Sequence, residues 1–411
     1  MMKEKPTVKN FAPQTSTNES GWNLPVLTPE VQDAYKAYQT LRTRPVRKRR
    51  GLHLRDFESY PLSDPFYAIA YHQDNQHLTG EAALKALAEE GVQISFIPAT
   101  QPYTPTNPAS LSPMARLHSA FLQFEAAQAA FRTQALQVNI PENHTLTGRL
   151  ELRIQSKPLQ TVIPEVHLTL GKGSAGNITL HIETPKQSAL IGRAVIQAGE
   201  DVNFTLISWH ETDTESRQWF NHRLHADRDA RIKWVNIVDG TGTVELHNHT
   251  ILKAPGAEVL MRGLSMGIQQ ARSIIFSTQE HIQGKNHSDL LYKTVLDDES
   301  RAFYDGLIRI HEKAQQANAY QKNSNLLLSP HTRTDTVPNL EIMANDVRCT
   351  HGATVGRVDR DQLYYLRTRG LTEKEAERLL IIGFCQEILN DMPAFAQETL
   401  EERIHQLGHF A

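Results

Sequence analysis

Residues 176–182 read Gly-Asn-Ile-Thr-Leu-His-Ile, so that Ile178, Leu180 and Ile182 alternate with polar side chains. A strand points successive side chains to opposite faces, and this period of two therefore predicts a strand with one face in a core. The same alternation recurs from about residue 138 to residue 345, in the groups Leu150/Leu152/Ile154, Val166/Leu168/Leu170, Val202/Phe204/Leu206 and Val244/Leu246. The sequence therefore predicts a protein that is mainly β.

Turn-forming residues separate these predicted strands, as at 171–173, 198–201 and 239–242. An antiparallel sandwich, a closed barrel and a β-helix all fit such a series of short strands, and periodicity alone does not choose among them. A sandwich usually needs only about 100 residues, which favours a solenoid for a strand region twice that long. The absence of a clean repeat period counts against the solenoid.

Both ends of the chain carry helical patterns. Pro29 begins a predicted helix that ends near Arg42, and a second helix, at 81–90, precedes a strand that begins at Val92. A longer helix is expected to start at Ser112-Pro113. We divide the chain into a disordered or loosely docked arm at 1–25, an N-terminal helical domain with a small α/β element at 26–137, the β core at 138–357 and a C-terminal helical domain at 358–411.

The C-terminal segment predicts three helices. Asp359 and Gln362 form a capping-box pair for the first, Thr372 and Glu375 for the second, and the third lies within 396–408. The first two helices carry apolar bands that are too extensive to remain in water, formed by Leu363, Leu366, Leu379, Leu380 and Phe384. Either the helices pack on one another or they offer a groove to a partner.

Composition excludes several classes of function. The 411 residues include 43 Lys+Arg and 46 Asp+Glu, which gives a net charge of −3 and no basic surplus for nucleic acid. The longest apolar stretch has about six residues, whereas a membrane helix needs about 18. Residues 1–20 lack the apolar core of a secretory signal, so we expect a cytoplasmic protein that spans no membrane.

The usual catalytic signatures are missing from the sequence. The stretches at 171–173 and 284–286 lack the upstream glycine and the Ser/Thr of a phosphate-binding loop, so we expect this chain to bind no nucleotide. Two histidine pairs, His222/His225 and His247/His249, are spaced closely enough for both rings to bind one metal ion. We interpret both pairs as solvent-exposed polar residues, although His247 and His249 would share one face of a strand.

Cys349 and Cys385 are the only cysteines, which excludes a disulfide framework or a cluster held by thiolates of this chain alone. Cys349 and His351 lie two residues apart, so on a strand they would direct a thiolate and an imidazole to the same side, a pair suited to iron, zinc or the edge of a cluster. Two ligands do not complete a tetrahedral site. The pair therefore makes sense as half of a site at an interface; a Cys-His catalytic dyad is the competing interpretation.

Several motifs resemble the SufB/SufD family of the SUF iron-sulfur cluster assembly machinery. They are Asp-Val-Arg-Cys-Thr-His-Gly-Ala-Thr-Val-Gly at 346–356, Gln-Leu-Tyr-Tyr-Leu-Arg-Thr-Arg-Gly at 362–370, Arg-Ala-Phe-Tyr-Asp-Gly-Leu-Ile at 301–308, Asn-Ser-Asn-Leu-Leu at 323–327 and Pro-Asn-Leu-Glu-Ile at 338–342. The SufD branch is the better match, because SufB usually has Glu where this sequence has Gly352 and carries a core cysteine that is missing here.

The resemblance implies a right-handed parallel β-helix between helical ends, with the chain acting as a non-catalytic scaffold. It implies a SufB partner at the C-terminal coils, with His351, and less firmly Cys349, as ligands of iron or of a transient cluster shared with SufB. It also implies a part in iron acquisition and an SufC ATPase docked on helices at 361–385. An isolated chain would be able to form a homodimer.

Two other functions stay open at this point. One is a SufB-like scaffold that works as a homodimer with SufC. The other is a carbohydrate-active β-helix enzyme, which would need opposed carboxylates in a groove, whereas Asp297, Asp298 and Glu299 are adjacent.

Overall fold

The computed structural model describes residues 29–42, 54–73, 76–98 and 120–405, the two short segments 16–17 and 23–24, and positions 52 and 407. Most of the predicted arm at 1–25, and the helix start predicted at Ser112-Pro113, lie outside the described residues.

The strands are β1 (Ser16–Thr17), β2 (Asn23–Leu24), β3 (Leu62–Ser63), β4 (Phe66–Gln73), β5 (Gln76–Thr79), β6 (Gln93–Pro98), β7 (Gln134–Ile140), β8 (Thr145–Gln155), β9 (Thr161–Val162), β10 (Glu165–Leu170), β11 (Ala175–Thr184), β12 (Ala189–Ala198), β13 (Asn203–Thr212), β14 (Arg217–Ala226), β15 (Arg231–Gly240), β16 (Thr243–Leu252), β17 (Glu258–Gly267), β18 (Arg272–His281), β19 (His287–Leu296), β20 (Arg301–Ile310), β21 (Ala317–Leu327), β22 (Arg333–Ile342) and β23 (Val347–Arg357). The prediction of a mainly β protein is confirmed.

The helices are α1 (Pro29–Arg42), α2 (Leu54–Phe57), α3 (Glu81–Glu89), α4 (Ala120–Phe131), α5 (Arg360–Thr368), α6 (Glu373–Asn390) and α7 (Ala394–Ile404). None of the helices in the described part of the chain is long and apolar enough to cross a membrane.

The β core is a solenoid built from two parallel sheets. From β10 to β23, successive strands alternate between the sheets, and each strand pairs in parallel with the strand two places further along the chain. The alternating residues Ile178, Leu180 and Ile182 lie between the sheets in a continuous apolar interior. The predicted parallel β-helix core with helices at both ends is therefore confirmed.

The coils differ in length, which explains why the sequence shows no clean repeat. Arg217 pairs with Thr243, whereas Arg301 pairs with Arg333, so the spacing between register partners ranges from 26 to 32 residues. From β11 to β20 every strand has ten residues, so most of the extra residues lie in the turns, which face solvent and tolerate changes of length. A fixed period therefore exists in space but not along the sequence.

The strand edges at the two ends of the solenoid differ in whether other strands cover them. At the N-terminal end, β4 runs antiparallel to β8 and β6 antiparallel to β7, which covers the edges of the first coils. At the other end β22 and β23 are the last strands of their sheets, and no strand in the described ranges pairs with their outer edges. An uncovered strand edge is a site where another chain can add.

Helices cover the outer faces of both sheets. Phe121 and Phe124 of α4 pack against Trp219 of β14, with the rings of Phe124 and Trp219 stacked at 4.9 Å. On the opposite sheet, Ile388 of α6 and Leu400 of α7 are buried in one cluster with outward-facing side chains of β13, β15, β17 and β19. Burying a large apolar side chain contributes about 1.5–3 kcal/mol, so these contacts hold both helical layers to the solenoid.

The predicted capping box is complete at the second helix of the C-terminal segment, and the first helix shows the Asp359 half of its predicted pair. The Asp359 carboxylate accepts hydrogen bonds from the backbone N–H groups of Asp361 and Gln362, at 2.8 and 3.3 Å. Thr372 and Glu375 form a complete capping box at the start of α6. Strand β23 ends at Arg357 and α5 begins at Arg360, and the predicted domain boundaries themselves stay predictions.

Candidate functional site

Cys349 lies on the last strand, β23, where it is in register with Ala319 of β21. Its half-buried side chain packs against the apolar cluster inside the final coils, which includes Ile308, Ile310 and Ala319. Burial raises the pKa of the Cys349 thiol, and a hydrogen bond with the Ala319 backbone partly offsets this effect. The thiol is therefore protonated at neutral pH unless a metal ion displaces the proton.

His351 lies two residues further along β23, in register with Gln321, and its side chain is exposed. Because alternate residues share a face, Cys349 and His351 point to the same inner side of the strand, as their spacing predicts. Strand β23 ends its sheet, and within the described residues no further strand pairs with its outer edge. The two donors thus lie at the uncovered end of the solenoid.

Within the described ranges, no group of three or more His, Cys, Asp and Glu side chains could hold a metal ion. Cys385 does not help, because it is buried in the contact between α6 and the solenoid, where burial raises its pKa to about 12. A cluster iron or a zinc ion needs four ligands, of which Cys349 and His351 could supply at most two. A second molecule has to complete any such site.

The prediction that His247 and His249 are solvent-exposed is wrong. His247 is buried against Phe121 of α4 and hydrogen-bonds Glu245 at 2.8 Å. His249 is buried as well and hydrogen-bonds Glu280 at 2.8 Å; burial lowers its pKa. The outer face of the sheet carries polar residues, yet a layer of helices and neighbouring side chains covers it, which periodicity within one strand does not reveal.

The same prediction is wrong for His222 and holds only in part for His225. His222 points into the solenoid, where its ring stacks on Trp234 at 5.3 Å, and burial lowers its pKa far below the usual value. His225 is half-buried, and its pKa falls to about 3 because of burial and the nearby cations of Lys253 and Arg223. Residues three apart on a strand face opposite sides, so His222 and His225 do not converge on one ion.

The residues expected to dock a partner differ in their surroundings. Leu379 is exposed, and Leu363 is half-buried on α5, a helix with no buried residue. Leu366 and Leu380 line a groove of about 340 Å³ between α5 and α6, together with Asp361, Gln362 and Tyr365. Phe384 instead packs against the solenoid, and the Lys293 ammonium lies 5.2 Å above its ring.

Two exposed aromatic residues, Tyr364 and Tyr365, extend this apolar surface, and the sequence reasoning missed them. Both lie in the motif at 362–370, between Leu363 and Leu366, and Tyr365 lines the groove together with Leu366. Adjacent exposed tyrosines on a short helix are typical of protein interfaces.

The carboxylates considered for a glycosidase serve the turn between β19 and β20. The Asp297 carboxylate accepts a hydrogen bond from the Asp298 backbone N–H at 2.8 Å, and Asp298 accepts one from the Gln269 backbone N–H at 2.8 Å. Their hydrogen bonds stabilise the connection between two coils, and they do not face one another across a groove.

Comparison with known proteins adds an independent finding. Residues 152–384, more than half of the chain, match the family model of the SufBD core domain of the SUF system for Fe-S cluster assembly. The iron-sulfur cluster assembly protein SufD of Escherichia coli K12 is 35% identical over 240 residues, which cover 58% of this chain and 56% of that protein. SufD of Bacillus subtilis is 35% identical over 167 residues, or 40% of this chain and 38% of that protein.

A SufBD family protein of Mycobacterium leprae is 31% identical over 281 residues, covering 66% of this chain and 69% of that protein. SufB of B. subtilis is only 22% identical, over 187 residues. The chain thus matches little more than half, or less, of the length of the two SufD proteins. The family match, the two-sheet solenoid and these identities together make this chain a SufD-like member of the SufB/SufD family of the SUF iron-sulfur cluster assembly system.

Proposed function

We propose that this chain is a non-catalytic scaffold subunit of a cytoplasmic SUF complex, and that iron or a nascent cluster is held where its last coil meets a SufB-type subunit. The observation that carries the proposal is the position of Cys349 and His351. Both donors lie on one face of β23, at the uncovered end of the solenoid, and they are too few to hold a metal ion alone. The cluster is the cargo of the complex, and this chain provides part of its binding site.

The surface around the two donors supports a protein partner. Val355 of β23, Ile342 of β22 and the adjacent Met343 are exposed apolar side chains near the final edges of the two sheets. A SufB-type subunit with a similar solenoid end would cover these side chains and pair with the free edges. It would also exclude water from the site and supply the missing ligands. The proposal includes a contribution of His351 to iron acquisition, and the exposure of this side chain supports it because incoming iron could reach the imidazole.

The C-terminal helices support a second partner of a different kind. The groove between α5 and α6, with the exposed Tyr364, Tyr365 and Leu379, forms an apolar surface that we assign to an SufC-type ATPase. Because this chain has no phosphate-binding loop, ATP would act from the partner. Helix α6 packs on β17 and β19, so a force on the helices would reach the coils of the solenoid.

The experiment that tests the proposal is co-expression of the tagged chain with the SufB-type and SufC-type proteins of its own source, followed by native mass measurement. One copy each of this chain and the SufB-type protein with two SufC-type subunits is the expected composition. Recovery of the chain with SufC alone, as a homodimer, would support a SufB-like scaffold instead. Recovery of the chain without either partner would contradict the proposal.

A second arm tests the two donors within that complex. His351→Ala and Cys349→Ser are expected to leave the composition unchanged, because each removes only a few atoms from an interface that spans the ends of two sheets, while cluster formation in cells decreases. We expect the larger loss for His351. Cluster formation at the normal level in the double variant would remove the proposed role of this site.

A further inference from the structure

Gln321 of β21 is a buried side chain whose hydrogen bonds are missing. Its exposed fraction is 0%, and neither its amide oxygen nor its amide nitrogen has a hydrogen-bond partner among the described residues. Buried polar groups are nearly always paired, because leaving one unpaired costs folding free energy. Such a group in a native fold therefore needs an explanation, and a partner that joins it in the working state is one.

The neighbouring amides on the same inner face do not share this feature. The Asn323 amide donates to the Tyr292 carbonyl oxygen at 3.3 Å, and the Asn325 amide donates to the Asn323 side chain at 2.7 Å and to the Thr354 carbonyl at 3.0 Å. The end of the solenoid thus provides hydrogen-bond partners for other buried amide side chains. Of the three amide side chains on this face, Gln321, Asn323 and Asn325, Gln321 is the one that stays unpaired.

The Gln321 amide is held in place by its surroundings. It lies so close to Gly306 that a Cβ atom added there would be 2.2 Å from the Gln321 amide nitrogen and 2.6 Å from the Tyr304 hydroxyl. A larger residue at position 306 would displace the amide. The glycine thus makes room for a glutamine that has no hydrogen bond, which is unexpected for a side chain with only a packing role.

The residue in register with Gln321 on the next strand is His351. Both side chains point to the inner face, since Gln321 lies between the buried Ala319 and Asn323, and His351 follows Cys349, which packs on the Ala319 cluster. In-register residues of neighbouring parallel strands lie side by side, about 4.8 Å apart. His351 therefore lies on the strand next to an amide that lacks a partner.

We propose that Gln321 is a positioning residue for His351: its amide oxygen accepts a hydrogen bond from one ring nitrogen of His351 when the other ring nitrogen binds iron or a cluster at the open end. Metal-bound histidines commonly donate their second N–H to such a group, which sets the ring orientation and raises ligand basicity. The inference rests on the proposed ligand role of His351, and it adds a specific residue inside the solenoid to that site.

The test uses the complex of this chain with its SufB-type partner, titrated with Co²⁺ alone and followed by the visible absorption of the bound ion. Gln321→Met keeps the length of the side chain but removes both polar atoms. We expect it to weaken Co²⁺ binding by about 10–100-fold, the usual effect of losing a partner of a metal-bound histidine. Gln321→Glu, which keeps an acceptor at that position, is expected to restore binding relative to the methionine variant.

Asn323→Leu is the matched control, because Asn323 is buried on the same face but is hydrogen-bonded and lies beside Ala353 instead of His351. It is expected to lower the melting temperature and to leave Co²⁺ affinity unchanged. Gln321→Met is expected to lower Co²⁺ affinity but to retain or raise the melting temperature, since it removes an unpaired buried amide.

The outcomes separate this inference from the proposed function. If His351→Ala weakens Co²⁺ binding and Gln321→Met does not, Gln321 has no positioning role and the ligand role of His351 stands. If Gln321→Met and Asn323→Leu weaken binding equally, the effect is a general loss of structure and the inference is overturned. If His351→Ala has no effect, the ligand role and the inference both fail.

Discussion

Asp391, the residue that follows α6, forms an ion pair with Arg262 in the middle of β17, and Arg262 also binds Asp289 of β19. This contact joins the C-terminal helices to two adjacent coils of the solenoid. Burial opposes the charge of Arg262, but its hydrogen bonds to Asp391 and Asp289 outweigh burial and raise the pKa of the guanidinium. A movement of α6 therefore strains a charged contact on the solenoid.

Replacing Arg262 with alanine is expected to lower the free energy of unfolding by about 1.5–3 kcal/mol, the usual range for hydrogen bonds to charged groups. The loss should be concentrated at α6, where hydrogen exchange of the backbone amides should become faster. Urea unfolding and hydrogen exchange measure the two effects. Lys36→Ala is the control, because the Lys36–Asp33 pair is exposed and worth little. Equal effects of the two variants would contradict a coupling through Arg262.

Stability should fall in mild acid because of buried histidines such as His210. Burial lowers the pKa of His210 to about 3 despite its hydrogen bond to Gln218. The unfolded chain binds a proton below pH of about 6.5, whereas the folded chain stays neutral there, so unfolding gains protons and stability decreases as the pH falls. One such group contributes a slope of about 1.4 kcal/mol per pH unit between these two pKa values.

The variant His210→Asn is expected to lose that part of the slope. Urea unfolding at pH 7, 6 and 5 measures it, and the comparison of slopes is independent of any constant loss of stability that the variant causes. An unchanged slope would mean that His210 becomes protonated inside the folded solenoid.

Leu379→Asp should weaken docking of the SufC-type ATPase without unfolding the chain. Leu379 is 49% exposed on α6, so a charge there costs little in the free chain but is buried in the proposed interface. We expect at least about a tenfold loss of affinity by calorimetry. Leu159→Asp, at a 57% exposed leucine in a turn of the solenoid, is the control. If both variants bind the ATPase normally, the groove between α5 and α6 is not its docking surface.

Val355→Lys should weaken pairing with the SufB-type subunit. Val355 is 50% exposed on the open side of β23, where an interface would desolvate the lysine. Phe66→Lys is the matched control, since Phe66 is 49% exposed on β4 near the opposite end of the solenoid. Light scattering of mixed subunits should show dissociation for Val355→Lys only. Dissociation by Phe66→Lys instead would move the interface to the N-terminal end.

Much of the secondary structure could be predicted from local patterns. Alternation of side chains such as Ile178 and Leu180 identified the strands, and the caps at Asp359 and Thr372 located α5 and α6. These features depend on residues close in sequence, so a single segment contains the information. The choice of a solenoid over a sandwich came from the family resemblance, because it depends on which strands pair.

The histidines show where local patterns fail. His247 and His249 lie on the polar side of their strand and are nevertheless buried, since α4 and the neighbouring strand of the sheet bring Phe121 and Glu280 over them. Burial of that face depends on a helix more than a hundred residues away in the sequence. The same limit explains why the contact of Phe384, part of an apolar band on its helix, with the solenoid was not predicted.

Residue type and local geometry were enough to predict the strands and caps of this chain, the spacing of Cys349 and His351, and the lack of a complete set of thiolate ligands. The assembled fold was needed to show that β23 ends its sheet among the described residues, that His351 lies beside the unpaired amide of Gln321, and that Arg262 joins α6 to the coils. Register between strands thirty residues apart places Gln321 beside His351, and the packing of α6 on the solenoid brings Asp391 to Arg262. Both relationships follow from how all the coils pack, not from any one segment.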